Sequence, residues 1–331
     1  MIFRRSQSTG VGWLNRINQR VPWPLRGALV LLAGLGAFFL LATPANLLGM
    51  KLTGKMRECP WSRVLRAESD VRWFDAALDR SKTEVSVTDH DAALDIDCVR
   101  TAERSFWVKA KGEGFGGAQL IAYLLAEHRW MIRSNPDNHV RKGDVVVDCG
   151  AHVGVFTHHA LTRGASRIIA VEPEPVNAEC FRRNFAREIA DGIVVLVPKG
   201  VWSSESTLDL SVAPQNSGAN SVVSDRGGAK IKIPVTTIDH MLENLGVSRV
   251  DFIKMDIEGA EREALAGAAN TLKRFRPRLM LDSYHLPDDP VVLSGLLRKF
   301  HADYAQTCGP CEPVGSAGPD QQYAPHVTYY E

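Results

Sequence analysis

The chain has 331 residues, 45% of them apolar and 23% charged, with 39 Lys and Arg against 38 Asp and Glu. That balance excludes a disordered or fibrous chain, and it excludes a chain-wide basic field for nucleic acid. The length allows two domains, or one domain with appendages.

Residues 1–26 form a basic tail: Arg4, Arg5, Arg16, Arg20 and Arg26 stand there with no acid, so the remainder is net acidic. Gly27 to Met50 contains no charged residue. This run is long enough to span a bilayer with some tilt, and Trp13 and Trp23 before it suit a membrane interface. The first expectation for 27–50 is a single transmembrane segment. A cleaved signal ending near Thr43-Pro44-Ala45 and a buried helix are the alternatives.

Residues 51–140 read as an accessory region on the acceptor side of the protein. Asp70–Leu78 suggests a short helix and Glu84–Thr88 a strand. Gly116–Ile132 is a clearer helix, with Leu120, Ile121, Leu124, Leu125, Met131 and Ile132 at helical spacing, closed by the turn cluster Ser134–Asn138.

From residue 141 to 331 short apolar runs alternate with helical ones. Strands are expected at Val145–Cys149, Arg167–Val171, Ile193–Val197, Val250–Met255 and Arg278–Asp282. Helices are expected at Val155–Thr162, from Pro175 through Phe181, Phe185 and Ile189, and at Ala260–Phe275. The alternation predicts an α/β fold, a doubly wound parallel sheet with helices on both faces. Thr207–Val212 and Lys230–Val235 interrupt it as an inserted β-hairpin, followed by a short helix opened by Thr236 or Thr237. Gly309–Pro325 reads as irregular before a last strand near Val327–Tyr330.

The six cysteines are too scattered for a disulfide scaffold, and a reducing compartment is the default expectation. Cys308-Gly-Pro-Cys311 matches a thioredoxin dithiol in letters but lacks its βαβ context, so it reads as a loop with two free thiols. His152, His158 and His159 give no metal site, because adjacent residues on a helix point apart.

Ligands of doubly wound sheets bind beyond the carboxyl ends of the strands. The first such end reads Asp148-Cys149-Gly150-Ala151-His152-Val153-Gly154, where Gly150 and Gly154 permit a tight turn. The second ends in Glu172-Pro173, a carboxylate suited to ribose hydroxyls. The glycine that would admit a pyrophosphate is missing, and Asp148 would repel phosphate but attract a sulfonium or ammonium. A cationic nucleoside such as S-adenosylmethionine therefore fits better than a nicotinamide dinucleotide. The fourth strand ends in Lys254-Met255-Asp256-Ile257-Glu258-Gly259, with Lys254, Asp256 and Glu258 expected on one side.

These segments resemble the FkbM family of S-adenosylmethionine-dependent methyltransferases. The resemblance rests on VVVDCGAHVGVFT (145–157), IIAVEPEPVNAECFRRNF (168–185), VTTIDHML (235–242), DFIKMDIEGAEREALAGA (251–268) and RPRLMLDSYH (276–285), and covers about Lys142 to His285. It implies a class I methyltransferase fold acting on hydroxyls of sugars or natural products. It implies that Asp148, Gly150 and Gly154, with His152 between them, hold the methionine part. Glu172, followed by Pro173, would hold the ribose, and Asp256 and Glu258 would face the methyl group or the acceptor. His152 stands where the family usually has Asn, and Asp282 where it usually has Glu.

Methyl transfer to a hydroxyl needs positioning and removal of one proton. Asp256, Glu258 and His285 are the candidate bases. The expected partner is a hydroxyl-bearing sugar, glycan or lipid-linked acceptor. The domain is expected to face the cytoplasm, where the cofactor is made, with membrane attachment through 27–50. The competing classes are a non-catalytic membrane scaffold and an NAD-dependent oxidoreductase.

Overall fold

The structure is a computed structural model that describes residues 45–110, 115–314 and 322–331. The basic tail and most of the uncharged run 27–50 lie outside the described residues. Only the end of that run is described, where Ala45–Leu52 forms helix α1. Among the described residues no helix is long and apolar enough to cross a membrane.

Helices α2 (Trp61–Val64) and α3 (Ala67–Glu84) lead into an antiparallel meander of β1 (Ser86–Asp91), β2 (Ile96–Arg100) and β3 (Ser105–Lys109), followed by α4 (Gly117–Ser134). The short helix expected at Asp70–Leu78 runs on through the polar stretch to Glu84, so the strand begins only at Ser86. Apart from a small cluster of Met56, Cys59 and Val64 with Cys311, the described residues of this region share the core of the sheet. Ile96, Val99, Phe106, Leu120, Ile121 and Met131 bury against Val146, Ile168, Ala170 and Phe252 of the central sheet. It therefore roofs one face of that sheet.

The sheet begins with β4 (Val145–Cys149), helix α5 (Val155–Thr162), β5 (Arg167–Val171), helices α6 (Pro175–Asn184) and α7 (Ala186–Ala190), and β6 (Val194–Val197). The single helix expected from Pro175 breaks at Phe185, which leaves helical geometry at φ −123°, ψ 27°. Next comes the insertion: β7 (Gly200–Val201), β8 (Ser206–Ser211) and β9 (Lys230–Thr236). β8 and β9 pair antiparallel as the expected hairpin, and β7 lies parallel on β9. Helix α8 (Ile238–Asn244) follows, capped by Thr237, whose side chain accepts from the His240 N–H.

The chain returns to the sheet in β10 (Phe252–Met255), helices α9 (Glu261–Ala266) and α10 (Ala269–Phe275), β11 (Arg278–Asp282), helix α11 (Asp289–Phe300) and β12 (Gln306–Cys308). The expected Ala260–Phe275 helix divides at Gly267. A Cβ there would stand 2.1 Å from the Trp202 carbonyl oxygen, so the backbone approach of the insertion requires glycine. A small hairpin, β13 (Cys311–Val314) with β14 (Gln322–Pro325), occupies the tail expected to be irregular, and β15 (Val327–Tyr330) closes the chain.

The strand order is β6-β5-β4-β10-β11-β15-β12. β6, β5, β4, β10 and β11 run parallel, and β15 runs antiparallel to both its neighbours. The second face packs Val147, Ile169, Ile253 and Leu281 against Met241, Leu272, Leu293 and Leu297 of the covering helices. Burial on both faces explains why these strands read as continuous apolar runs.

One expectation gives way here. Cys311 is not a free thiol paired in motif with Cys308; it is disulfide-bonded to Cys59, 252 residues away. Cys98, Cys149, Cys180 and Cys308 remain thiols. No local spacing could reveal so distant a partner.

Candidate active site

Parallel register brings the ends of β4 and β10 side by side, with Lys254 opposite Asp148 and Met255 opposite Cys149. A cavity of about 380 Å³ opens beyond them, a size suited to a small organic ligand.

The turn after β4 forms the floor. Gly150 N–H and Ala151 N–H both donate to the Val171 carbonyl at 3.0 Å, which pulls the turn over the end of β5. Gly150 has φ +75°, and a Cβ there would lie 1.9 Å from the Asp256 carbonyl oxygen, so only glycine fits. Gly154 does a different job: its missing side chain makes room for the rings of Phe181 and Phe185 beneath the turn. Gly150, His152, Glu172 and Pro173 line the cavity; Asp148 and Gly154 do not.

Glu172 is the best-held group on this side. Its Oε2 accepts from the His152 N–H and its Oε1 from the Glu174 N–H, both at 2.9 Å. It is 5% exposed, and burial pushes its pKa up to about 7. The His152 ring meets Ser217 Oγ at 2.9 Å, and burial depresses its pKa to about 4, so the ring is neutral near pH 7. Asn177 donates through Nδ2 to the Ser217 carbonyl at 2.9 Å. Val171, Val201, Leu210, Ile233 and Val235 add an apolar shelf.

The reading of Asp148 as a carboxylate at the mouth is corrected. Its side chain is fully buried, accepting from Thr157 Oγ1 at 2.7 Å and lying 3.7 Å from Lys254 Nζ. Its charge is answered from within the sheet, beneath the Gly150 turn. Lys254 likewise points into the protein, donating to the Gly150 carbonyl at 3.0 Å.

The segment that follows β10 collects acids. Asp256 Oδ2 lies 3.7 Å from Lys254 Nζ. Burial pushes the Asp256 pKa up, but Lys254 and His285 outweigh it and hold it below the usual carboxylate range. Glu258 has left the strand, with φ +56°, so the expected alternation of side chains does not reach it. Its carboxylate is ion-paired with Arg226, and burial pushes its pKa up to about 7. His285 meets Glu261 Oε1 through Nδ1 at 3.1 Å, while Nε2 lies 3.6 Å from Asp256 Oδ1 and 3.7 Å from Glu258 Oε2. Burial disfavours its charge, but Glu261, Glu258 and Asp256 together raise its pKa to about 10. The structure thus brings Asp256, Glu258 and His285 together. Asp282 lies behind them, buried, with its pKa raised by burial and by Asp256.

Sequence reasoning missed the third wall. Phe115, Leu120, Tyr123, Leu124 and Glu127 line it from α4 and the residues before it, with Tyr284 beside them. His326 stacks on Tyr284 at 4.7 Å and bonds Glu312 at 2.8 Å. Tyr123 and Glu127 stand four residues apart, a spacing that marks one face of a helix and was available as a signal. The loop residues Asn216, Ser217, Gly218 and Asn220, also unremarked, close the cavity from the insertion.

Five parallel strands ending in an antiparallel pair, with a glycine turn, a buried acid after the second strand of the alternating series and a cavity beyond the strand ends, define the class I methyltransferase fold. Residues 148–305 match the family model described as the Methyltransferase FkbM domain. Through these residues the chain is similar to the FkbM methyltransferases.

Among its relatives is the methyltransferase sdnD of Sordaria araneosa, 26% identical, aligned over 44% of this chain and 66% of that protein. The hexuronic acid methyltransferase AglP of Haloferax volcanii is 28% identical, over 46% of this chain and 61% of its own length. The 31-O-demethyl-FK506 methyltransferase FkbM of Streptomyces tacrolimicus is 24% identical, over 46% and 69%. The chain thus spans about two thirds of the curated relatives it matches. A crystal structure of methyltransferase FkbM from Methylobacillus flagellatus KT matches 80% of this chain and 60% of its own at 16% identity, with a TM-score of 0.42.

Proposed function

We propose that this chain is an S-adenosylmethionine-dependent methyltransferase that modifies a hydroxyl on a sugar, glycan or lipid-linked acceptor. The observation that carries the reading is one cavity lined both by Glu172 with the Gly150 turn and, past that turn, by the acids Asp256 and Glu258. The cradle fits the cofactor. Gly150 lets the turn pack against the Asp256 backbone, and Glu172 Oε2, which serves only the His152 N–H, retains capacity to accept from a ribose hydroxyl.

S-Adenosylmethionine supplies an electrophilic methyl group on a sulfonium. In this reading Glu172 holds the ribose, His152 and the Gly150 turn carry the methionine part, and the apolar shelf of Val201, Leu210 and Ile233 takes the base. Asp256 and Glu258 orient the acceptor hydroxyl and receive its proton. His285, surrounded by three carboxylates, is cationic near pH 7 and serves to position them rather than to act as the base. Tyr123 and Tyr284 offer flat apolar faces to a sugar ring. Residues 51–140 then form the acceptor side, and residues 27–50 attach the chain to a membrane.

The test is calorimetric titration of the full chain with S-adenosylhomocysteine, with NADH as control, followed by transfer of labelled methyl to a panel of neutral glycosides, uronates and lipid-linked glycans. Saturable binding of the first and none of the second supports the reading. No binding by folded protein would sink it, as would full turnover by Asp256→Asn and His285→Ala. Recovery of the chain in the soluble fraction with residues 27–50 intact would remove the membrane part.

A further inference from the structure

We infer that Asp256, Glu258 and His285 form a binding site for a divalent first-row metal ion that holds the acceptor oxygen. The inference rests on the acid wall being the acceptor side, as proposed above, and adds to it a ligand that none of the relatives' names mentions.

The geometry converges. One ligating atom from each of the three residues lies within 4.8 Å of the others, close enough for one ion to contact all three. The His285 side chain is 3% exposed, yet its Nε2 makes no hydrogen bond; it stands 3.6 Å from Asp256 Oδ1 and 3.7 Å from Glu258 Oε2. Those separations are too long for hydrogen bonds and suit an ion placed between the atoms. A buried ring nitrogen without a partner is costly, and an ion bound at Nε2 would replace the proton that the cationic ring carries there.

The other ring nitrogen is already prepared. Nδ1 faces Glu261 Oε1 at 3.1 Å, and Glu261 is itself fully buried and held by the Ile257 N–H at 2.9 Å. A carboxylate behind a histidine fixes the tautomer that aims Nε2 forward, as it does for metal-bound histidines in general. Two carboxylates and one imidazole leave several coordination positions open, and Asp256 and Glu258 both border the cavity. A hydroxyl bound there would be oriented and made more acidic by the cation. Mixed oxygen and nitrogen donors suit Mn²⁺ or Zn²⁺ better than Ca²⁺.

Two protein cations stand against the site. Lys254 Nζ lies 3.7 Å from Asp256 Oδ2, whereas His285 approaches Oδ1, and Lys254 is held by the Gly150 carbonyl. Arg226 reaches Glu258 Oε2 from the loop between β8 and β9 and must swing aside for an ion to enter. That competition gives the inference a signature: removing the Arg226 charge should tighten metal binding, whereas a carboxylate cluster built only to hold Arg226 would gain nothing.

The experiment titrates the full chain with Mn²⁺, following loss of the free-ion electron paramagnetic signal, and repeats it with Zn²⁺ by calorimetry. One ion per chain is expected. Asp256→Asn and His285→Ala should lose it, Glu261→Gln should weaken it by about tenfold or more, and Arg226→Gln should tighten it. S-Adenosylhomocysteine binding, measured on each sample, reports folding and the cofactor end separately. A protein that binds S-adenosylhomocysteine but takes up neither ion overturns the metal site and leaves the methyltransferase reading standing. Ion binding unchanged in Asp256→Asn also overturns it. Loss of S-adenosylhomocysteine binding in folded wild type strikes the methyltransferase reading instead.

Discussion

Replacing Glu172 with Gln keeps its shape but removes its charge and half its acceptor capacity. If two ribose hydroxyls donate to the carboxylate, charge-assisted bonds of about 1.5–3 kcal/mol each are at stake. The amide retains one neutral acceptor, so a loss of about 2–3 kcal/mol is expected, or a Kd for S-adenosylhomocysteine weaker by about 30- to 100-fold. The variant should not unfold. In the native protein Glu172 has a pKa near 7, raised by burial from 4.5, so between those values the native state binds more protons than the unfolded chain. Its ionisation therefore costs stability as pH rises through that window, by roughly 3 kcal/mol once complete. Glutamine escapes this cost, which offsets the loss of an acceptor for the His152 or Glu174 N–H. Calorimetry near pH 8 and pH 6 tests both halves. Wild-type affinity should fall by about tenfold at the lower pH, where about a tenth of Glu172 is ionised, while Glu172→Gln should lose that dependence. A variant that binds within about threefold of wild type near pH 8, or that keeps the wild-type pH profile, would refute the assignment of Glu172 to the ribose.

Gly150→Ala should abolish S-adenosylhomocysteine binding and lower stability by at least about 2 kcal/mol, since the new Cβ meets the Asp256 carbonyl at 1.9 Å in a left-handed backbone; a urea midpoint equal to wild type would contradict it. The buried Arg278–Asp144 pair, 2.6 Å apart, ties β11 to the start of β4. Asp144→Ala should cost about 3–5 kcal/mol by leaving the guanidinium unpaired, read from the same denaturation curve. Cys59→Ser should destabilise the chain by up to about 5 kcal/mol on the loop-entropy argument, and reductant should move the melting temperature of wild type but not of the variant. Equal sensitivity to reductant in both would mean that the bond does not form.

Legibility followed burial and punctuation. β4, β5 and β11 were read to the residue because both faces of each are covered and polar turns bound them. Thr237 and the β8–β9 hairpin were legible for the same local reasons, a cap and a Gly/Asn-rich turn. β2 and β3 were not, since each buries only two residues (Ile96 and Val99; Phe106 and Val108) and mixes Asp, Arg and Lys into the rest. Helix α11 was passed over although Leu293 and Leu297 recur at helical spacing and Pro290 opens it. At the site, Glu172, Asp256, Glu258 and His285 follow strand ends, where topology alone points to function. Tyr123, Glu127 and Ser217 come from elements outside the alternating core, so nothing in their own neighbourhoods placed them at the cavity. Asp148 was misjudged because a strand-end acid can face inward as well as outward, and only Thr157 and Lys254 decide which.

The Cys59–Cys311 bond has a mechanical consequence. It joins the segment that follows residue 45 to the hairpin β13–β14, and it does not act alone. The Tyr323 N–H donates to the Lys55 carbonyl at 2.8 Å, and Arg63 reaches the carbonyls of Cys308 and Ser134 at 2.6 and 2.7 Å. These ties form a collar rather than a swivel. Whatever holds the chain upstream of Ala45, tension there passes through the collar into β12 and β15 at the sheet edge. The cavity is therefore held in a fixed relation to the chain at Ala45, and a load applied there would turn the whole domain with it.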